Sequence, residues 1–181
     1  MIIILEGADN SGKSTLAKRL SEDTGLPVIH PGGPPANIAD AVVRCMEQDQ
    51  LFNLSTELDF IFDRVTCISD RIYRGKPEYH NIFSLYQRAI SRAKNVLVVY
   101  CNPSEDRLRN FDDHVMQAHE DEAVVNHAKM HIDRILEEYS DVMHDLSNHR
   151  HIKIVEYDFE SDTDSESYKV IRSMINNNKD Q

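Results

Sequence analysis

The chain has 181 residues, the length of one α/β domain, and its formal net charge of −11 argues against a broad nucleic-acid-binding surface, which requires clustered lysine and arginine. Its cysteines, Cys45, Cys67 and Cys101, are widely spaced and form no C-x-x-C pair, which is typical of reduced thiols in a cytosolic protein. No apolar run has the length of a membrane span or the pattern of a signal peptide, so we expect one cytoplasmic domain over 1–181 with no membrane partner.

The first predicted element is a short apolar strand that leads into a phosphate-binding pattern. Ile2 to Leu5 has no polar interruption, which is typical of a central parallel strand buried on both faces. Gly7 to Ser14 then fits the P-loop pattern G-x-x-x-x-G-K-[ST] at every fixed position. Thr15 to Asp23 has helical spacing, so unpaired N–H groups at its start would point at a bound phosphate. A chance glycine-rich turn is the alternative, but the strand and the helix lie where a P-loop requires them.

The residue types in this loop predict a nucleotide site. Gly7 and Gly12 permit the backbone angles of a tight anion-binding loop and leave room for phosphate oxygens. Lys13 can reach the β- and γ-phosphates, and the Ser14 hydroxyl can ligate Mg²⁺. We therefore predict that Mg·ATP is bound by the loop residues Gly7, Asp9, Asn10, Ser11, Gly12, Lys13, Ser14 and Thr15.

A second strand is predicted over Leu26 to His30, and a helix over Asn37 to Gln50. Between them, Pro31 to Pro35 can form neither a helix nor a strand. Loops at the carboxyl ends of strands line the ligand crevice of open α/β sheets, so this loop is a candidate wall of a second-substrate pocket. A stiff connection is the alternative.

The next apolar strand begins at Leu58 and ends in two charged residues, Asp63 and Arg64. At the carboxyl edge of the sheet, Asp63 could hold Mg²⁺ or its water shell. Arg64 could bind a phosphate through two parallel N–H groups, a geometry that lysine cannot match. A surface ion pair is the alternative, but the neighbouring P-loop favours a catalytic role for both residues.

Val65 to Lys76 is predicted to be a polar loop rich in arginine. Arg71 and Arg74 stand out there because the chain as a whole is acidic. We include both arginines and the neighbouring Tyr73 among the candidate substrate-binding residues.

The region 104–122 has the least core-like composition of the chain and follows a predicted helix, Asn81 to Lys94, and a predicted strand, Asn95 to Cys101. In a kinase, a mobile lid at this place would supply arginine to the transferring phosphoryl group. Arg107 and Arg109 are therefore candidate catalytic residues, and which of them acts is left open. A solvated pair of helices is the alternative.

The last part of the chain is predicted to contain a long helix over Asp121 to Leu146, a strand over His151 to Phe159 and a helix over Ser165 to Ile175. His127 and His131 are one helical turn apart and could bind a metal. Because the sequence offers no third ligand, we interpret the pair as part of a solvated helix face.

Taken in order, these motifs resemble the thymidylate kinase family, and more narrowly the phage-type deoxynucleoside monophosphate kinases. Glu6 to Thr15 matches the family pattern E-G-x-D-x-x-G-K-S-T, and Asp63 with Arg64 matches its D-R motif. Ile68 to Tyr73 is similar to the I-S-[ED]-x-x-Y of phage members, and Val99 to Pro103 looks like the strand before their lid.

The chain also departs from the family pattern. Val65 replaces the aromatic residue or histidine that usually follows D-R. Tyr86-Gln87 resembles the family's Y-Q pair but lies later than expected, so the resemblance implies no base contact for it.

The resemblance implies a role for several residues. Lys13 would neutralise the donor phosphates, Arg64 would hold the acceptor phosphate, and Asp9 would contact the sugar or help to place the metal. By analogy with thymidylate kinases, the protein would form a homodimer. We expect a three-layer α/β P-loop kinase fold, with a central parallel sheet of about five strands between helices.

The predicted activity is transfer of the γ-phosphoryl group from Mg·ATP to a deoxynucleoside 5′-monophosphate, with dTMP as the acceptor that the resemblance suggests. A kinase of the nucleoside or of a polynucleotide 5′-end is the first alternative, although the acidic charge argues against the polynucleotide. A nucleotide-binding switch is the second, but Asn102 to Glu105 lacks the lysine and aspartate of the N-K-x-D segment expected in a GTPase. No residue pattern in the chain itself separates thymine from the other bases.

Overall fold

The computed structural model describes residues 1–54, 58–109, 122–161 and 166–179. Within these residues five strands form one parallel sheet in the order β2-β3-β1-β4-β5. The strands are β1 (Ile2–Glu6), β2 (Val28–Ile29), β3 (Phe60–Asp63), β4 (Val96–Cys101) and β5 (Ile152–Tyr157). The helices are α1 (Lys13–Thr24), α2 (Ile38–Asn53), α3 (Thr66–Arg74), α4 (Pro77–Arg92), α5 (Glu105–Arg109), α6 (Glu122–Met130), α7 (Ile132–Ser147) and α8 (Glu166–Lys179).

The central strand β1 is buried along its whole length because helices cover both faces of the sheet. Ile2 and Ile4 pack into a core with α2, α3, α4 and α7, whereas Ile3 and Leu5 pack into a second core with α1 and α8. This alternation explains why the strand has no polar position before Glu6. The prediction of a three-layer fold around about five parallel strands is confirmed.

The register of the sheet places the segment that follows β1 beside the segment that follows β3. Leu5 of β1 is opposite Asp63 of β3, and Glu6 is opposite Tyr100 of β4. All five strands run parallel, so the loops that follow β1 and β3 leave the same edge of the sheet. The P-loop and Arg64 are therefore neighbours.

The prediction of a loop over Val65 to Lys76 was wrong. Thr66 to Arg74 forms the helix α3, with Ile68 and Ile72 fully buried in the core shared with α2 and α4. The arginines lie in the last turn, where cations interact favourably with the carboxyl end of a helix. The polar composition of this segment led to the prediction of a loop, although the segment is an amphipathic helix of two and a half turns.

The prediction of one continuous helix over Asp121 to Leu146 was also wrong in part. Two helices, α6 and α7, meet at His131, whose φ of −118° and ψ of 19° depart from helical values. Of the predicted lid region 104–122, the structure describes residues 104–109, which contain α5, and the first residue of α6, and residues 110–121 lie outside the described part. No helix in the described ranges is both long and apolar enough to cross a membrane.

Candidate functional site

The P-loop folds as its sequence pattern predicts, between the end of β1 and the start of α1. Gly12 has a φ of 81°, and a Cβ atom there would lie 2.8 Å from the ring of Phe159. Gly7 has a φ of 151°, and a Cβ atom there would collide with the carbonyl oxygen of Cys101. Both positions therefore require glycine, for backbone angle and for space.

Lys13 is the buried cation of the loop. Its ammonium group donates hydrogen bonds to the Ala8 carbonyl oxygen at 2.5 Å and to Ser11 Oγ at 3.0 Å. Burial, together with the nearby Arg64 guanidinium, lowers the pKa of Lys13 to about 8, against the opposing effect of Asp9. Near neutral pH this places a positive charge inside the loop, where the P-loop pattern requires one.

Ser14 and Asp63, the residues predicted to hold Mg²⁺, lie together at the start of α1 and the end of β3. Ser14 Oγ donates a hydrogen bond to Asp63 Oδ2 at 2.8 Å. Hydroxyl and carboxylate oxygens are ligands that Mg²⁺ accepts, so these residues fit the predicted metal site. His30, which sequence reasoning did not select, lies 3.2 Å from the same carboxylate oxygen through Nδ1.

Arg64 lies directly beside the P-loop. Its guanidinium group forms an ion pair with Asp9 and lies over the ring of Tyr73, 5.2 Å from the centroid. Burial alone would raise the pKa of Asp9, but the charges of Arg64 and Lys13 outweigh it and hold that pKa below its ordinary value. The structure thus brings together the residues predicted for the donor and the acceptor phosphates.

Glu6 is a further member of the site that was assigned no role from the sequence. Its carboxylate is fully buried and accepts hydrogen bonds from the Val65 amide at 2.7 Å and from the Tyr139 hydroxyl at 3.3 Å. Burial raises the pKa of Glu6 from 4.5 to about 7, against the opposing effects of the Val65 amide and the positive charges of Arg64 and Lys13.

The two arginines predicted to act from a lid, Arg107 and Arg109, lie in different surroundings. Arg107 Nη2 is 3.4 Å from Asn10 Oδ1, and Asn10 Nδ2 donates to the Arg107 carbonyl oxygen at 3.3 Å. Arg109 instead forms ion pairs with Glu105 at 3.1 Å and Asp133 at 2.5 Å. Of the two arginines, Arg107 is therefore the one that contacts the P-loop in this structure.

Arg71 and Arg74 do not join the P-loop cluster. Arg71 forms ion pairs with two α7 residues, Glu138 at 3.3 Å and Asp145 at 3.1 Å. Arg74 donates to the Pro35 carbonyl oxygen at 2.5 Å and lies 3.8 Å from Asp70. Arg71 thus ties α3 to α7, whereas Arg74 supports the proline-rich loop.

The rings of His127 and His131 have their centroids 4.5 Å apart at the junction of α6 and α7. Among the residues that the structure describes, no three histidine, cysteine or acidic side chains are grouped in a way that could hold a metal ion.

A parallel sheet with a P-loop after its central strand and an Asp-Arg pair after the neighbouring strand defines the class of three-layer P-loop folds. The chain matches no known family profile, and no curated protein matches it in sequence. Several solved structures do match it.

The YorR protein of Bacillus subtilis, solved in complex with phosphorylated GDP, has a TM-score of 0.65 and 22% identity over 100% of this chain and 99% of its own. Deoxyadenosine kinase from M. mycoides with bound dATP has a TM-score of 0.59 and 15% identity, over 97% of this chain and 100% of its own. Thymidylate kinase from Candida albicans has a TM-score of 0.59 and 16% identity, over 98% of this chain and 92% of its own. At these identities the likeness establishes a shared fold.

Proposed function

We propose that the protein is a nucleotide kinase that transfers the γ-phosphoryl group of ATP to the 5′-phosphate of a deoxynucleoside monophosphate. The observation that carries this proposal is the contact between Arg64 and Asp9. It places a guanidinium group, suited to an acceptor phosphate, directly beside a loop suited to donor phosphates.

On the donor side, the backbone N–H groups between Gly7 and Ser14 and the Lys13 ammonium would bind the β- and γ-phosphates. These groups are held in position before the reaction, so they can stabilise charge that develops on the transferring group. Arg107, which already contacts Asn10, would add a second cation from the lid. The protein needs no covalent intermediate, because positioning and charge neutralisation carry phosphoryl transfer.

The oxygens of Ser14 and Asp63 would hold Mg²⁺. When bound, the ion would neutralise charge on the donor phosphates. The contact of His30 with Asp63 places an imidazole at the margin of this site, where it can help to orient the carboxylate.

On the acceptor side, Arg64 would hold the 5′-phosphate and Asp9 would keep the guanidinium oriented until the phosphate binds. The names of the structural neighbours support a nucleotide or nucleoside acceptor, since they include a thymidylate kinase and a deoxyadenosine kinase. We propose a dTMP-like acceptor from the sequence resemblance, and a cytoplasmic enzyme that binds no nucleic acid and, by analogy with thymidylate kinases, forms a homodimer.

The test is a panel of deoxynucleoside monophosphates incubated with ATP and Mg²⁺, with product followed as ADP and as the nucleoside diphosphate. Deoxynucleosides and a DNA 5′-hydroxyl end form the second and third arms. Turnover of at least one monophosphate, lost when Mg²⁺ is removed, supports the proposal. Turnover confined to nucleosides or to DNA ends would replace it with one of the alternative acceptors.

A further inference from the structure

We propose that Glu6 is a positioning residue whose buried carboxylate fixes the backbone at Arg64 and so aims the guanidinium group at the acceptor. The inference rests on the proposed function for the identity of that acceptor. Glu6 is the last residue of β1, and its side chain reaches across to the segment that follows β3. It accepts a hydrogen bond from the Val65 amide, the peptide group immediately after Arg64.

The backbone of Arg64 needs such a restraint. Its φ of 76° lies in the left-handed region, a backbone conformation that is strained for a residue with a side chain. Such conformations persist only where the surroundings determine them. In this structure the Arg64 amide donates to the Leu5 carbonyl oxygen at 3.1 Å, and the Val65 amide donates to Glu6 at 2.7 Å. The peptide groups on both sides of Arg64 are therefore hydrogen-bonded to residues of β1.

A carboxylate at this place is otherwise unfavourable. Glu6 has no exposed surface, and transfer of an acidic side chain into the interior costs free energy unless its oxygens are satisfied. One oxygen accepts from Val65 and the other from the Tyr139 hydroxyl. Since the restraint is a hydrogen bond to an amide, the length of the side chain matters more for this role than its charge.

Two variants distinguish the effect of the length of the Glu6 side chain from the effect of its charge. Glu6→Asp keeps the carboxylate but is one methylene shorter, so it loses the bond to the Val65 amide. Glu6→Gln keeps the length and a carbonyl oxygen acceptor but loses the charge. Tyr139→Phe is the matched control, because it removes the other partner of Glu6 and leaves the Val65 bond.

The first measurement is steady-state kinetics with the monophosphate that wild type uses, varying each substrate separately. We expect Glu6→Asp to raise the KM for the monophosphate about tenfold or more and to change the KM for ATP less than about threefold. Glu6→Gln should rescue the monophosphate KM to within about threefold of wild type, and Tyr139→Phe should do the same. An equal rise in Glu6→Asp and Glu6→Gln, or a rise only in Glu6→Gln, would overturn the proposal.

The second measurement is hydrogen exchange of the Val65 amide, which does not depend on activity. Protection should be kept in wild type, in Glu6→Gln and in Tyr139→Phe, and lost in Glu6→Asp. Unchanged protection in Glu6→Asp would refute the restraint. If wild type phosphorylates no monophosphate while the exchange pattern is as expected, the proposed function fails and the restraint on Arg64 stands.

Discussion

Arg64 and Arg71 carry the same guanidinium group but lie in opposite surroundings. Arg64 lies beside the P-loop with Asp9 as its ion-pair partner. Arg71 is held between Glu138 and Asp145 and lies over the ring of Phe83, 4.6 Å from its centroid. The pair therefore offers an internal control for the role of a guanidinium group in this protein.

Arg64→Lys should weaken monophosphate use sharply and ATP binding little, because lysine keeps the charge but loses the planar pair of donors. Arg71→Lys should leave both KM values unchanged and lower only stability. Steady-state kinetics with each substrate varied in turn measure both variants. If Arg64→Lys instead raised the KM for ATP and spared the monophosphate, Arg64 would belong to the donor site.

Glu6 makes folding depend on pH in a predictable direction. Its pKa is raised from 4.5 to about 7, so between these values the folded state binds more protons than the unfolded state. The stabilising contribution is complete below pH 4.5 and declines as pH rises towards 7.

Glu6→Gln removes this titration. We compare the free energy of unfolding of the variant with that of wild type at each pH. From pH 4.5 to pH 8 this difference should shift in favour of the variant by up to about 3 kcal/mol. Urea denaturation of both proteins at several pH values measures the difference. A stability difference that does not change across this range would show that Glu6 keeps its ordinary pKa in the folded protein.

The candidate-site residues that lie in local motifs could be proposed from the sequence alone. Lys13 and Ser14 are fixed by the P-loop spacing, and Asp63 with Arg64 by their place after a buried strand. The partners of Glu6 could not be found in this way, since Tyr139 is 133 residues away along the chain. His30 was missed for the same reason, because its contact with Asp63 depends on the pairing of β2 with β3.

At the scale of elements, the hydroxyl group of Thr66 in α3 can be compared with that of Thr24 in α1. Thr66 is buried, and within the described residues no group is hydrogen-bonded to its Oγ1 atom. Thr24 in α1 offers a contrast, because its hydroxyl donates to the Leu20 carbonyl oxygen at 2.6 Å. The two threonines allow the same substitution in two hydrogen-bonding environments.

Thr66→Val should leave stability unchanged or raise it by about 1 kcal/mol, since the lost hydroxyl gives up no bond within the protein. Thr24→Val should lower stability by about 1 kcal/mol because it gives up a bond. Chemical denaturation measures both. A loss of more than about 1 kcal/mol in Thr66→Val would mean that the hydroxyl has a partner, such as an ordered water.

The two candidate lid arginines both lie in α5 but have different partners. Arg107→Ala should lower the turnover number by at least about tenfold while changing the KM for ATP less, because a lid cation acts mainly on charge in the transition state. Arg109→Ala should have little effect on turnover, since Arg109 is paired with Glu105 and Asp133. Equal turnover in wild type and Arg107→Ala would remove the lid assignment.

The strands and most of the helices were predictable because continuous apolar runs and helical periodicity leave a local signal. The helix α3 was not, since four of its nine residues, Ser69, Asp70, Arg71 and Arg74, are strongly polar. Its apolar positions, Ile68 and Ile72, are one turn apart and become significant only when α2 and α4 cover them. The break at His131 also left no clear signal, because the sequence there contains neither proline nor glycine.

At the scale of the whole molecule, stability should depend most on the centre of the sheet. Ile3 on β1 has no exposed surface, whereas Ile154 on the edge strand β5 is only partly buried. Ile3→Ala should cost about 4 kcal/mol, and Ile154→Ala less than half as much. Equal losses in urea denaturation would show that the edge strand is as tightly packed as the centre.

The pairing of β1 with β3 also bears on which acceptors a protein of this fold could accommodate. The P-loop and Arg64 leave adjacent strands of one sheet, and the Arg64 amide is bonded to Leu5. The sheet therefore sets the spacing between the backbone of the P-loop and that of Arg64, the two groups that we propose bind phosphates. The proline-rich loop, in contrast, is held from outside the sheet by Arg44 and Arg74. In an enzyme of the proposed kind, we would therefore expect related proteins with different acceptors to differ in the proline-rich loop and to keep the same spacing between the P-loop and Arg64.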